Sequence, residues 1–587
     1  MSETLFKKID YTLNKLLEDV QIGEIGLPEI QRPFVWPNTK VRDLFDSMYC
    51  GYPIGYLLFW ANGMPGVHRH IGTDSKQITP RLLIVDGQQR LTSLYAVLKG
   101  VPVIRQDFRK ERIQIAFCPR TGQFAVADAA VRHNPEWLSD ISILWSKDTS
   151  RGRVVRNFVN SLRQSRTVDE AEEERLAEAI DRLYDLHNYP LTALELSSSV
   201  TEEQVAEVFV RVNSKGTPLN QADFILTLMS VFWDEGRAQL ERFCRETHQP
   251  SVGKPSPFNH FIQPQPDQLL RTGVAVGFRR ARLEYVYSIL RGKDLETGQF
   301  SDERREQQFV VLRQAQDYAL DLQNWHDFFK VLTLAGFRRA DHISSTNALL
   351  YAYAFYLIGQ RDFKVDNFTL RNLMARWFFM VSLTARYTDS PESRMEQDLA
   401  DLRSLTTAQQ FVAHINRVIA TTLTEDYWNI NLPTALATSS ARSPALFAYY
   451  AALYRLGARV LFSEMTVAEM MDPLSHAKRA PLERHHLFPR AYLIKSLGIK
   501  DDRDINQIAN LALVEWSDNI DILDLPPTHY LPKYLQRFSE KDLEDMYFWH
   551  ALPPGWEAME YRSFLEERRR RMAQVIRTAF EQLPEAG

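Results

Sequence analysis

Short apolar runs closed by Gly, Pro or Asp mark the first 235 residues, whereas helix-period patterns mark most of the remaining chain. Tyr56-Leu57-Leu58-Phe59-Trp60 and Leu82-Leu83-Ile84-Val85 read as short buried strands. The second runs directly into Asp86-Gly87-Gln88-Gln89-Arg90, behind which Leu91, Leu94, Tyr95 and Leu98 recur at helical spacing. That pattern predicts a strand, a tight glycine turn and an amphipathic helix. A Glu- and Arg-rich stretch from Thr167 to Leu186 predicts an exposed helix.

The Pro-, Gly- and Gln-rich passage His248 to Gln268 marks a boundary or a long loop. Beyond it, Leu349, Tyr351, Ala352, Phe355 and Tyr356, and then Leu373, Trp377, Met380 and Val381, follow a helical period. Trp377-Phe378-Phe379 is expected in a helix core rather than on a base-stacking surface. Ser439 to Pro444 reads as a second hinge, and an apolar helix from Leu446 to Phe462 opens the last unit. The expected fold is α+β and mainly helical. Its three parts are an α/β domain over 1–235, a helical middle over 236–440 and a C-terminal helical domain over 441–587.

The composition is that of a globular protein with several cores: 587 residues, 45% hydrophobic and 25% charged. A net charge of −4 supplies no global attraction for nucleic acid, so any DNA contact needs a local basic surface. Cys50, Cys118 and Cys244 form no metal-ligand pair or disulfide pattern, which fits a reducing compartment. Neither a leader pattern nor an apolar run near the ~20 residues of a membrane span is present. A cytoplasmic location without membrane contact is therefore the expectation.

Candidate chemistry concentrates between Glu483 and Asn519. Glu483-Arg484-His485-His486-Leu487-Phe488-Pro489 is followed by Asn506-Gln507-Ile508-Ala509-Asn510-Leu511-Ala512-Leu513 and then Asn519. A one-metal nuclease needs a base for water, ligands holding a cation against the scissile phosphate, and a group that orients the base. Adjacent histidines at a strand end point in different directions and can divide that labour. The set resembles the HNH nucleases with a ββα-metal motif, in a His-Asn-Asn form. The resemblance implies His485 as metal ligand, His486 as general base, Asn510 as the brace of the loop and orienter of the base, and Asn519 as second ligand. An Asn ligand favours Mg²⁺ or Mn²⁺, with phosphate oxygens completing the shell.

At the other end of the chain, the helix start after Asp86 presents free N–H groups and a positive dipole end, which attract phosphate. Gly87 permits close backbone approach, Arg90 offers a phosphate fork, and Asp86 suits a cation or a ribose hydroxyl. An ordinary structural turn is the alternative. No GxxxxGK[ST] motif occurs.

Asp86-Gly87-Gln88-Gln89-Arg90 resembles the signature of the ParB/sulfiredoxin-like domain in the GmrSD family of type IV restriction enzymes. Two further segments are similar to that family. One is Ile30-Gln31-Arg32-Pro33-Phe34-Val35-Trp36 with Gly51 to Gly55, and the other runs from Phe209 to Leu219. The resemblance covers about residues 10–235 and 446–580. It implies a nucleoside triphosphate site formed by Asp86, Gly87, Gln88, Gln89, Arg90 and Thr92. Gln31, Arg32, Arg211 and Asn213 would line that pocket, each with a structural role as the alternative. It also implies NTP hydrolysis in the N-terminal domain, without fixing the base, and cleavage of DNA by the C-terminal domain. The expected target is phage or foreign DNA carrying modified cytosine, and a homodimer is a candidate assembly.

Arg568-Arg569-Arg570-Arg571 follows Glu566-Glu567 in a helical pattern and reads either as a solvated, Glu-paired face or as a DNA-binding phosphate contact. Two other functions compete with the nuclease. One is a non-catalytic, nucleotide-switched DNA-binding or signalling module, and the other is a self-directed nuclease toxin.

Overall fold

The computed structural model describes the whole chain except residues 1–4, 27–33, 62–80, 106–108, 147–148, 198–199, 201–203, 205–207, 209–221, 223–224, 227–228, 230–232, 294–296, 298, 300, 471–481, 516–524 and 586–587. It falls into two compact units, Met1–Arg237 and Ala238–Gly587.

The first unit is built on the strands β1 (Phe6–Thr12), β2 (Ile25–Gly26), β3 (Leu57–Ala61), β4 (Leu82–Asp86) and β9 (Pro190–Leu196). They form one mixed sheet in the order β1-β9-β3-β4-β2. The short pairs β5 (Val103–Ile104) with β6 (Lys110–Glu111), and β7 (Ile115–Cys118) with β8 (Gln123–Val126), lie outside it. Both strands expected from apolar runs are present. The first begins one residue later than its pattern suggests, where pairing with β9 starts at Leu57 opposite Ala193.

Helices α1 (Leu13–Ile22), α2 (Asn38–Tyr49) and α3 (Gln88–Lys99) set Leu13, Leu16, Phe45, Leu91 and Leu94 into the main core of this unit. The Thr12 hydroxyl caps α1 by accepting from the Lys15 amide, and Gly23, at φ 86°, ends it in the left-handed region. The Glu-rich stretch forms the helix Glu170–Tyr184, started by Asp169 accepting from the Glu172 amide.

The second unit is largely helical. Thr346–Arg361 and Asn367–Leu383 are buried around nearly their whole circumference, as expected of helices apolar on all sides. Trp377, Phe378 and Phe379 are core residues. The Arg279–Arg282 cluster is met by carboxylates. Arg279 pairs with Asp362, and Arg280 with Glu396 at 2.7 Å.

The apolar helix opening the last part runs over Pro444–Arg455 and packs on the C-terminal helix Tyr561–Glu581. It stops before Phe462 because Gly457 adopts φ 62°, a left-handed turn. Among the described residues of this unit the strands are β10 (Leu482–His486) and β11 (Leu511–Glu515). Cys118 and Cys244 are buried and Cys50 is exposed. Among the described residues no helix is long and apolar enough to cross a membrane.

Candidate functional site

The His-His pair closes β10, which runs antiparallel to β11 with His485 opposite Ala512 and His486 opposite Leu511. The Leu487 amide extends the ladder by donating to the Asn510 carbonyl at 2.8 Å. Successive side chains on a strand leave on opposite faces, and the pair divides accordingly. His485 is 4% exposed, with the ring of Tyr530 edge-on at 6.1 Å, while His486 is half-buried. Tyr530 also donates its hydroxyl to the Leu487 carbonyl at 2.6 Å, fixing the chain where it leaves the strand.

Both histidines line one cleft of about 460 Å³, together with Pro489, Arg490, Ala491, Ile494 and Lys495. Two lining side chains are cationic and none is a carboxylate. His486 Nε2 is 2.9 Å from Asn506 Oδ1. Burial holds the His486 imidazole below its usual pKa. The Asn506 contact opposes that shift, and the Arg490 charge adds to it.

Asn510 is fully buried, and its amide is engaged on both sides. Its Oδ1 accepts from the Phe488 amide at 2.9 Å, and its Nδ2 donates to the carbonyls of Phe488 at 3.1 Å and Ile505 at 3.0 Å. It thus ties the turn after the histidines to the end of the short helix Asp502–Ile505. These bonds do not involve the His486 ring.

Arg568 corrects a sequence expectation. It is fully buried, so it contacts no phosphate and forms no part of a solvated face. Its Nη1 donates to the carbonyls of Ala509 at 2.7 Å and Leu511 at 2.9 Å, and its Nε to that of His550 at 3.1 Å. The guanidinium grips the backbone on either side of Asn510. Arg569 donates to the Gln507 side chain. Arg570 and Arg571 make i,i+4 pairs with Glu566 at 2.6 Å and Glu567 at 2.9 Å, the Glu-paired arrangement.

Sequence reasoning gave no role to Asn506 and misjudged Arg568. A signal for Arg568 existed. Arg568 stands four residues after Phe564, three after Leu565 and four before Met572, so its position lies on the apolar stripe of its helix. Asn519, the second ligand implied by resemblance, lies outside the described residues. Among the described residues no cluster of three His, Cys, Asp or Glu side chains stands ready for a metal ion.

In the first unit Asp86 ends β4 opposite Leu58, and Gly87 turns the chain into α3 at φ 92°. At that φ any side chain is strained, and a Cβ on Gly87 would also press on Leu57 Cδ2 at 2.4 Å, so the turn favours glycine. Arg90 folds back to Asp86, with Nη2 to Oδ2 at 3.3 Å, and donates from Nη1 to the Ile54 carbonyl at 2.6 Å. Burial lowers the Arg90 pKa, against the pull of Asp86.

Gln89 Oε1 accepts from the Val35 amide at 2.9 Å and the Trp36 amide at 3.4 Å. Gln88 opens α3, and the Thr92 hydroxyl is buried in it with no hydrogen-bond partner among the described residues. The turn therefore clasps three segments, at residues 35–36, 54–57 and 86–90. Gln31, Arg32, Arg211 and Asn213 lie outside the described residues.

Comparison with known proteins places these two regions differently. Residues 13–230 match the family model of the GmrSD restriction endonuclease N-terminal domain. Uncharacterized protein MJ0686 of Methanocaldococcus jannaschii is 21% identical over 581 residues, covering 90% of this chain and 88% of its own. The N-terminal region is thus similar to a restriction-endonuclease domain, and the similarity to the archaeal protein runs through both units.

Proposed function

We propose that this chain is a restriction-type DNA endonuclease with its reaction centre at the β10–β11 hairpin, regulated by a nucleoside triphosphate bound in the first unit. The observation that carries the reading is the cleft shared by His485 and His486, with cationic Arg490 and Lys495 beside them and Asn510 bracing the turn behind. The match of residues 13–230 to a restriction-endonuclease domain supports it independently.

The donor chemistry suits a weakly held hard cation. His485 lines the cleft and would give a cation a single imidazole ligand, so Mg²⁺ or Mn²⁺ there would keep mostly water and phosphate oxygens, with Asn519 as a further protein ligand. Such a cation would neutralise charge building up on the scissile phosphate. His486 takes the proton from the attacking water at its lone-pair nitrogen. Burial keeps that imidazole neutral at pH 7 and ready to accept. Arg490 and Lys495 draw the phosphodiester into the cleft, supplying the local basic surface that a chain of net charge −4 needs.

The nucleotide half of the proposal rests on the Gly87 turn at the start of α3 and on the part-exposed Asp86–Arg90 pair at the end of a sheet strand. The preferred substrate is DNA bearing modified cytosine.

Nicking of supercoiled plasmid in Mg²⁺ or Mn²⁺ tests the reading. His486→Ala is expected to slow cleavage by about 10²- to 10⁴-fold, the usual worth of a general base. Matched DNAs with unmodified, hydroxymethylated or glucosylated cytosine, each with and without NTP, then resolve target and regulation. A His486→Ala protein that nicks at the wild-type rate overturns the reaction centre.

A further inference from the structure

Asn510 spends its amide on Phe488 and Ile505, and the side chain that reaches the His486 ring is Asn506, twenty residues further along the chain. Asn506 is held in an unusually well-pinned segment. Its own amide donates to the Asp502 carbonyl at 2.9 Å, ending the short helix Asp502–Ile505. The carbonyl of Asp504 accepts from the Tyr561 hydroxyl at 2.8 Å, and that of Ile505 from Asn510. Gln507 is held by Arg569, and the carbonyls of Ala509 and Leu511 by Arg568. The C-terminal helix Tyr561–Glu581 thus clamps both flanks of Asn506, on a strip of backbone with little freedom to follow a moving histidine.

We infer that Asn506 is the positioning residue that fixes the His486 ring and holds it in the Nε2–H tautomer, leaving Nδ1 as the nitrogen that accepts a proton. The inference rests on the nuclease reading for its use but on the hydrogen bond for its substance. An amide oxygen can only accept, so the ring nitrogen facing it must carry hydrogen, and in a neutral imidazole the lone pair then resides on Nδ1. Unlike a carboxylate, the amide directs the ring without drawing a second proton onto it. Other ionisable groups lining the cleft are His485, Arg490 and Lys495, with Asp502 paired to Arg490 at 2.8 Å, so no carboxylate lining the cleft competes for the ring. Two asparagines four residues apart thereby divide the work: Asn510 holds the backbone turn, and Asn506 the ring.

Long-range ¹H–¹⁵N NMR of the full-length, metal-free protein with labelled histidine reads the tautomer directly. His486 is assigned by the signal lost in His486→Ala. The wild type is expected to show Nε2–H. Asn506→Ala is expected to show a mixture of both tautomers, and Asn506→Asp, which keeps an acceptor oxygen, to keep hydrogen on Nε2 while making the ring easier to protonate at Nδ1. In plasmid cleavage Asn506→Ala is expected to lower kcat by about 10- to 100-fold, the usual cost of losing an orienting partner, with KM for DNA unchanged. A His486 tautomer unchanged in Asn506→Ala, or an Nδ1–H form in the wild type, overturns the inference. A His486→Ala protein that cuts at the wild-type rate overturns the nuclease reading instead and leaves the tautomer result standing.

Discussion

The two candidate regions use charged and amide side chains in opposite ways. In the first unit the turn after β4 turns its distinctive residues inward on one another: Arg90 to Asp86 and the Ile54 carbonyl, Gln89 to the backbone of Val35 and Trp36. In the second unit the bracing falls to groups behind the hairpin, Asn510 and Arg568, while His485 and His486 line an open cleft. A phosphate arriving at Arg90 would compete with contacts that hold the turn itself, whereas one arriving at His486 meets Arg490, whose partner Asp502 lies outside the cleft lining. The difference is between a motif that is its own scaffold and a motif held by a separate one. Mutation should therefore affect stability and activity together in the first region, and separably in the second.

The sharpest way to break this comparison is to remove the scaffold at the hairpin. Arg568→Ala leaves the carbonyls of Ala509, Leu511 and His550 buried without their donor. A loss on the order of 4 kcal/mol is expected. It should appear as faster hydrogen exchange along Leu511–Glu515, and a protection pattern matching wild type would show that Arg568 is not the brace.

A smaller effect, of about 3 kcal/mol, is expected from acid. Complete burial pushes His550 down to about 4 from 6.5, and the neutral ring bonds the Arg459 carbonyl through Nε2 at 2.9 Å. Above pH 6.5 folded and unfolded chains are both neutral there, so its contribution is fully present. As pH falls from 6.5 to 4 the unfolded chain gains a proton that the folded one refuses, and stability drops by ~1.4 kcal/mol per unit, levelling below 4. Denaturation midpoints across that range check the slope, and His550→Gln should make it shallower. His342, likewise pushed to about 4 by burial, contributes a slope of the same sign that survives the change.

The smallest effect belongs to the first unit. Gln89→Ala deprives the Val35 and Trp36 amides of their acceptor and should cost about 1 kcal/mol. That is roughly a fivefold rise in exchange at the Val35 amide. A loss as large as that of Arg568→Ala would erase the contrast between the two regions.

Much of this molecule is written in local pattern. Apolar runs bounded by turn residues fixed strands β3 and β4. Helical spacing after Gly87 fixed α3, and the all-round apolar stretches near 350 and 375 fixed the buried helices, because periodicity follows from backbone geometry alone. The adjacency of His485 and His486 is equally local, and it sufficed to nominate a reaction centre.

What the tertiary structure decided is which groups meet across long stretches of chain. That Asn506, rather than Asn510, faces the His486 ring depends on a turn held by a helix that begins more than fifty residues later. That Arg568 lies in the core while Arg570 pairs with Glu566 on the surface depends on which side of one helix meets β11 and the His550 carbonyl. Four consecutive arginines are chemically identical in sequence. A helix turns about 100° per residue, so the apolar stripe marks the position of Arg568, and packing decides that its guanidinium becomes a buried strut while its neighbours reach the surface.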